Sequence, residues 1–118
     1  NSTQILEIDP NAQTTTLFGN FSGSDQWIGG VLAPNGKIYA IPRSSTQILE
    51  IDPNTQTTVL FGNFSGSGKW VGGVLAPNGK IYAIPYNSTQ ILEIDPNTQT
   101  TTLFGNFSGS EKWCVCTV

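Results

Sequence analysis

The sequence predicts an all-β protein built from small antiparallel sheets that repeat along the chain. Two observations carry this prediction. A ten-residue segment recurs at a constant spacing of 43 residues, and each repeat contains short apolar runs separated by Pro-Asn-Gly and Asp-Pro turns. No stretch shows a helical period or a helix cap. The 118 residues are 37% hydrophobic with a net charge of −3, which is typical of a folded globular chain.

The repeated segment STQILEIDPN begins at Ser2, Ser45 and Ser88. We therefore divide the single predicted domain, 1–118, into repeat units at 2–44, 45–87 and an incomplete 88–118. The first two units are identical at 36 of their 43 positions, and the third matches as far as Trp113 before it reads CVCTV. Such similarity indicates duplication, so a residue that is present in every unit is not marked as functional by that fact alone.

Four strands are predicted for each complete structural unit, taken here in chain order. The first strand, WIGGVLA at 27–33, is joined to the second, KIYAIP at 37–42, by Pro-Asn-Gly, in which Pro suits the first corner of a tight turn and Gly supplies a positive φ. The third strand, TQILEID at 46–52, is joined to the fourth, TTVLFGN at 57–63, by Asp-Pro-Asn-Thr with similar turn chemistry.

Apolar residues lie on both faces of these predicted strands. Ile38 and Ala40 point to one side of the second strand, and Tyr39 and Ile41 point to the other. In a sheet with one face exposed to solvent, apolar and polar residues would alternate more regularly along each strand, so each sheet is expected to lie between two others. Four strands in a repeat of about 40–45 residues are typical of a β-propeller blade. A β-trefoil, which also has three repeats of about this length, is the alternative.

The motifs GGVLAPNGKIYAIP and STQILEIDPNTQT together resemble blades of the NHL-type and related short-repeat propellers. The shared pattern is a small-residue inner strand, a Pro-(Asn/Asp)-Gly turn, an aromatic-bearing second strand and a third strand that ends in Asp-Pro. The resemblance covers the chain except its last few residues. It implies β-propeller blades, which host binding, scaffolding and enzymatic roles alike, so it implies no particular activity.

The composition argues against several classes of function. The chain has no His, which is the commonest general base and metal ligand. Its mildly acidic net charge gives no sign of the basic surface that nucleic-acid binding requires. No apolar run approaches the ~18 residues of a membrane span. We find no Ser/His/Asp arrangement and no phosphate-binding Gly loop, and therefore predict a non-enzymatic protein with no catalytic residue, no cofactor, no metal, no nucleic-acid partner and no membrane association.

Paired carboxylates recur on the third strand of each unit, as Glu7/Asp9, Glu50/Asp52 and Glu93/Asp95. Residues two apart on a strand share a face, so each pair could act in acid/base chemistry or bind a cation. We favour a structural role, in which each Asp bonds turn amides and each Glu accepts bonds at a strand edge. The enzymatic alternative is a metal-dependent hydrolase of the gluconolactonase type. It would need oxygen ligands in the channel, where the first strand offers only Gly29, Gly30, Val31 and Leu32.

Ligand-binding candidates fall on the loops that would share one face of a propeller. They are Trp27, Trp70, Arg43 and Tyr86. A Trp beside polar loop residues could stack on a sugar, which keeps a carbohydrate-binding lectin as an alternative function. Packing against the neighbouring blade is the favoured role of these Trp residues, because the indole carries a large apolar surface. Arg and Tyr are residues that interfaces favour.

Asn-X-Ser/Thr triplets make Asn20, Asn63, Asn87 and Asn106 glycosylation candidates, all of them at predicted loops. With the two cysteines they suggest an extracellular or secreted protein. Cys114 and Cys116 are two residues apart, a spacing that strains a disulfide between them, so cross-chain bonds or free thiols are expected.

Assembly follows from the incomplete third unit, since a second VLAPNGKIYAIP at 74–85 is not followed by a third. A lone chain would be an open arc with apolar sheet at both ends. We predict a homo-oligomeric repeat scaffold or binding module, either two chains in a six-bladed ring or three in a nine-bladed one. The predicted oligomer contact is made by Trp113, Cys114 and Cys116, in a strand that docks beside the 3–18 hairpin of the next chain.

Overall fold

The computed structural model describes residues 4–21 and 26–108, and all of its regular elements are strands. They are β1 (Ile5–Asp9), β2 (Thr14–Phe18), β3 (Trp27–Leu32), β4 (Ile38–Pro42), β5 (Ile48–Asp52), β6 (Thr57–Phe61), β7 (Trp70–Leu75), β8 (Ile81–Pro85), β9 (Ile91–Asp95) and β10 (Thr100–Phe104). Strands β1 and β2 form a hairpin, β3-β4-β5-β6 form the first sheet, and β7-β8-β9-β10 form the second sheet. All pairings are antiparallel.

The four predicted strands are confirmed, each one or two residues shorter than expected. Each sheet joins the second half of one sequence repeat to the first half of the next. The hairpin β1–β2 therefore corresponds to the two outer strands of a sheet, β5–β6 or β9–β10.

Local chemistry explains the turns between the outer strands. The Asp52 carboxylate accepts hydrogen bonds from the backbone N–H groups of Asn54 (3.0 Å) and Thr55 (3.4 Å), which confirms that this Asp bonds turn amides. The Asp9 carboxylate accepts both equivalent bonds, from Asn11 and Ala12, and the Asp95 carboxylate accepts one, from Asn97. Each turn then passes through a Gln with positive φ: Gln13 (56°), Gln56 (55°) and Gln99 (55°).

The hairpin, the first sheet and the second sheet stack in one direction. We call the side of the first sheet that bears Tyr39, Ile41, Ile48 and Glu50 its forward face, and the side that bears Ala40, Leu49 and Ile51 its rear face; the same terms apply to equivalent residues of the hairpin and the second sheet. The forward face of the first sheet packs on the rear face of the second, in a core that includes Tyr39, Ile41, Ile48, Ile81, Leu92 and Ile94. The rear face of the first sheet packs on the hairpin, in a smaller core with Ile5 and Phe18. The first sheet is thus covered on both faces, as predicted.

The inner strand of the second sheet approaches the first sheet closely. A Cβ atom at Gly73 would lie 2.9 Å from Cδ1 of Ile41 and 3.2 Å from the carbonyl oxygen of Tyr82. Strand β7 also changes register with β8 between Trp70 and Gly73, so the inner strand bulges where it meets its neighbour. A residue without a side chain is therefore needed at this point of the contact.

Candidate functional site

The predicted ligand-binding tryptophans begin the inner strands of the two sheets. Trp70 is buried in the core between the sheets, its Nε1–H donates to the carbonyl of Gln90 (3.0 Å), and its ring meets Phe64 edge to face at 5.3 Å. The aromatic face that sugar stacking would require is therefore already covered by protein. Trp27 makes the same type of bond to Gln47 (2.8 Å) but is only half-buried.

Lys69 brings the loops of Arg43 and Tyr86 together. Its backbone N–H donates to the Arg43 carbonyl (2.9 Å), and its own carbonyl accepts from the Tyr86 N–H (2.9 Å). The buried Lys69 ammonium donates to the carbonyls of Ser45 (2.8 Å), Gly66 (2.9 Å) and Arg43 (3.3 Å), and desolvation by burial lowers the pKa of this lysine. All three ammonium hydrogens are thus engaged by the neighbouring loops. Nothing in the sequence indicates this role, because Lys69 occupies an ordinary loop position that is Gln26 in the preceding unit.

A depression of about 440 Å³ lies beside Lys69. Its lining includes Asn63, Ser67, Lys69, Trp70, Asn87 and Gln90. Side-chain amides and hydroxyls on this lining could hydrogen-bond a small polar ligand.

The glycosylation candidates Asn20, Asn63, Asn87 and Asn106 are all exposed and lie outside the strands, the first three in connections between strands and Asn106 just after β10. Glycan occupancy, and with it the extracellular location, stays a prediction. The predicted oligomer contact of Trp113, Cys114 and Cys116 lies outside the described residues.

A polar cluster, the junction cluster, spans the contact between the two sheets. The Glu50 carboxylate accepts hydrogen bonds from the Tyr39 hydroxyl (2.8 Å) and from Nε2 of Gln99 (3.0 Å), which comes from the β9–β10 turn of the second sheet. Nδ2 of Asn35 donates to the Tyr39 hydroxyl (3.0 Å), and the Lys37 ammonium lies 3.6 Å from the carboxylate. Glu50 is an acceptor, as predicted, but it lies on the interior strand β5 and not at an edge, and its partner Gln99 from the second sheet was not predicted.

The junction cluster holds the phenol of Tyr39 in its neutral form. Burial raises the pKa of Tyr39 to about 12; the hydrogen bond from Asn35 opposes this shift, and the bond to Glu50 and its charge add to it.

We expect a phenolate absorbance titration to show a component with a midpoint of about 12 that is absent from Tyr39→Phe. Because the folded pKa lies above the usual ~10, the stability from this group is complete below about pH 10 and is lost as the pH rises towards 12. Persistence of the component in Tyr39→Phe would assign it to another group.

Within residues 4–21 and 26–108, no three Cys, Asp or Glu side chains come close enough together to hold a metal ion. The same part of the chain contains no helix with the length and apolar character that a membrane crossing requires.

Four-stranded antiparallel sheets, stacked face to face and repeated along the chain, define the β-propeller class of repeat protein. Solved structures confirm this class and exclude the β-trefoil alternative for the fold. The chain is similar to virginiamycin B lyase from Staphylococcus aureus, with a TM-score of 0.74, 12% identity, and coverage of 87% of this chain and 34% of that protein. It is also similar to hydrazine synthase from Kuenenia stuttgartiensis, with a TM-score of 0.66, 13% identity, and coverage of 89% and 31%.

The chain spans about a third of the length of these two structures. At these identities the likeness shows the fold alone. No protein-family model matches the chain, and no curated protein matches its sequence.

Proposed function

We propose that the chain is a non-enzymatic repeat scaffold, a partial β-propeller that joins further copies of itself head to tail into a closed ring. Two chains would form six blades and three would form nine. The observation that carries the proposal is the exposure of the hairpin's rear face. Leu6 and Ile8 are 56% and 63% exposed, whereas their equivalents in the first sheet, Leu49 and Ile51, are 3% and 9% exposed.

The opposite end of the stack offers a matching surface. On the forward face of the second sheet, Tyr82, Ile84 and Ile91 are only partly buried. Their equivalents on the first sheet are fully buried, because the second sheet covers them. The two uncovered faces are therefore the two halves of a contact that the chain already makes internally. Repeat units of this kind bury their apolar faces only against neighbours, and a head-to-tail contact that closes produces a ring.

The test is the effect of Leu6→Glu on the mass in solution. We expect the wild-type chain to run as a multiple of 12.6 kDa in light scattering after size exclusion, and Leu6→Glu to run as a single chain, because a buried carboxylate without a partner opposes the contact.

Leu17→Glu is the matched control for added charge on the same side of the hairpin. The equivalents of Leu17 in the covered sheets, Leu60 and Leu103, remain 44% and 42% exposed, so this position is not buried by a neighbour. We expect Leu17→Glu to assemble as the wild type does. A wild-type chain that stays at 12.6 kDa at micromolar concentration would contradict the proposed ring.

A further inference from the structure

We propose that the contact between chains is held in one direction and register by a hydrogen bond from the Gln13 side-chain amide of one copy to the Glu93 carboxylate of the preceding copy. This inference rests on the proposed head-to-tail assembly and names the polar pair that sets its direction and register.

The same Gln–Glu pair occurs at both junctions within the chain. Nε2 of Gln56 donates to Glu7 at 2.8 Å between the first sheet and the hairpin, and Nε2 of Gln99 donates to Glu50 at 3.0 Å between the two sheets. In each case the Gln lies 49 residues after the Glu, in the outer turn of the following unit. A third junction of the same kind would use Glu93 as the acceptor.

The acceptor half of this third junction is already built. Glu93 accepts a hydrogen bond from the Tyr82 hydroxyl (2.7 Å), Nδ2 of Asn78 donates to that hydroxyl (3.0 Å), and Lys80 lies 3.7 Å from the carboxylate. These four residues reproduce the arrangement around Glu50. The two clusters differ in how far the carboxylate is buried: the Glu93 side chain is 22% exposed, whereas the Glu50 side chain is 3% exposed.

The donor half is also built, in the β1–β2 turn. Residues 9–14 read DPNAQT where the other two turns read DPNTQT. Gln13 has the same left-handed φ of about 55° as Gln56 and Gln99, and its turn is closed by the same type of bond, in which the backbone N–H of Asn11 donates to the Asp9 carboxylate. The hairpin therefore presents the amide of Gln13 as the other two turns present theirs. Gln13 is exposed, like Leu6 and Ile8 of the same hairpin.

The pair also gives the contact a direction. The acceptor lies on the forward face of the second sheet and the donor belongs to the hairpin at the other end. If two chains met forward face to forward face, two Glu93 carboxylates would approach each other in a desolvated contact, which is unfavourable. Head-to-tail contact pairs each carboxylate with an amide and leaves one free end of each kind, which is the condition for closing a ring.

The experiment compares association of the wild-type chain, Gln13→Glu, and the double variant Gln13→Glu/Glu93→Gln by light scattering across a dilution series. Gln13→Glu replaces the donor with a second carboxylate, and we expect it to weaken association at least about tenfold per junction. The double variant exchanges the two groups, so that the amide introduced at position 93 can still accept from Tyr82 and can donate to the carboxylate introduced at position 13. We expect it to recover most of the lost association.

Ala12→Glu is the matched control, because it adds the same charge to the same turn at the neighbouring residue. In the junction between the sheets the hydroxyl of the equivalent Thr98 bonds Thr100 of its own turn, so we expect Ala12→Glu to associate as the wild type does. The Gln13–Glu93 pair is wrong, and the proposed assembly stands, if wild-type chains associate but Gln13→Glu does not weaken association, is not rescued by the double variant, or is matched by Ala12→Glu. A wild-type chain that never associates would overturn both.

Discussion

Replacing Trp70 by alanine is expected to lower the free energy of unfolding by about 3–5 kcal/mol, the range for large aromatic truncations in protein cores. The indole is one of the largest fully buried side chains, and it lies between the two sheets against Phe64. Its removal would leave a cavity and would take away one of the two side-chain hydrogen bonds to the Gln90 carbonyl, which would keep the bond from the Ser88 hydroxyl. Since small domains are stable by only about 5–15 kcal/mol, this loss would remove a large part of the total.

Trp27→Ala provides the comparison for Trp70→Ala. Trp27 makes the equivalent hydrogen bond and ring contact, but it is only half-buried because the hairpin behind it has two strands and not four. We expect a smaller loss for Trp27→Ala in denaturant melts at a fixed protein concentration. A loss below about 1 kcal/mol for Trp70→Ala would contradict its role in packing.

Replacing Ile41 by alanine is expected to cost about 2–5 kcal/mol, because Ile41 is fully buried between the sheets. Gly73→Ala alone is expected to cost about 1–3 kcal/mol through overpacking, since its new methyl group would lie 2.9 Å from Cδ1 of Ile41. In the double variant Ile41→Ala/Gly73→Ala, the methyl group at residue 73 enters the space that Ile41 leaves. We therefore expect the double loss to be smaller than the sum of the single losses by at least about 0.5 kcal/mol.

Gly30→Ala is the matched control for Gly73→Ala, because the two glycines are equivalent in the repeat. Gly30 is exposed, and among the described residues a Cβ atom there would meet only Ile38 of its own sheet, at 3.1 Å. We expect Gly30→Ala to be tolerated better than Gly73→Ala in the same denaturant melts. Strict additivity of the Ile41 and Gly73 losses would show that the two residues do not share the space between the sheets.

A comparison of equivalent residues in the repeat separates the features that nearby sequence determines from those that depend on contacts between sheets. The repeat, the strands and the turns were predictable from the sequence, because Pro-Asn-Gly and Asp-Pro act on the few residues around them and strand alternation acts within one sheet. Apolar residues on both strand faces also predicted correctly that a sheet would be covered on both sides, as the first sheet is. The side-chain amide of Gln99 gave no such signal, because its partner Glu50 lies in another sheet.

Only the tertiary structure decided which copies of a repeated residue are buried. Leu6, Leu49 and Leu92 occur in the same motif, yet Leu6 is exposed and the other two are buried, because burial depends on whether another unit lies against that face. The same reason distinguishes Glu50 from Glu93 and Gly73 from Gly30. A duplicated sequence specifies the blade and its two complementary faces by itself, whereas stacking determines which of these faces are covered, since burial is a property of the contact and not of the residue.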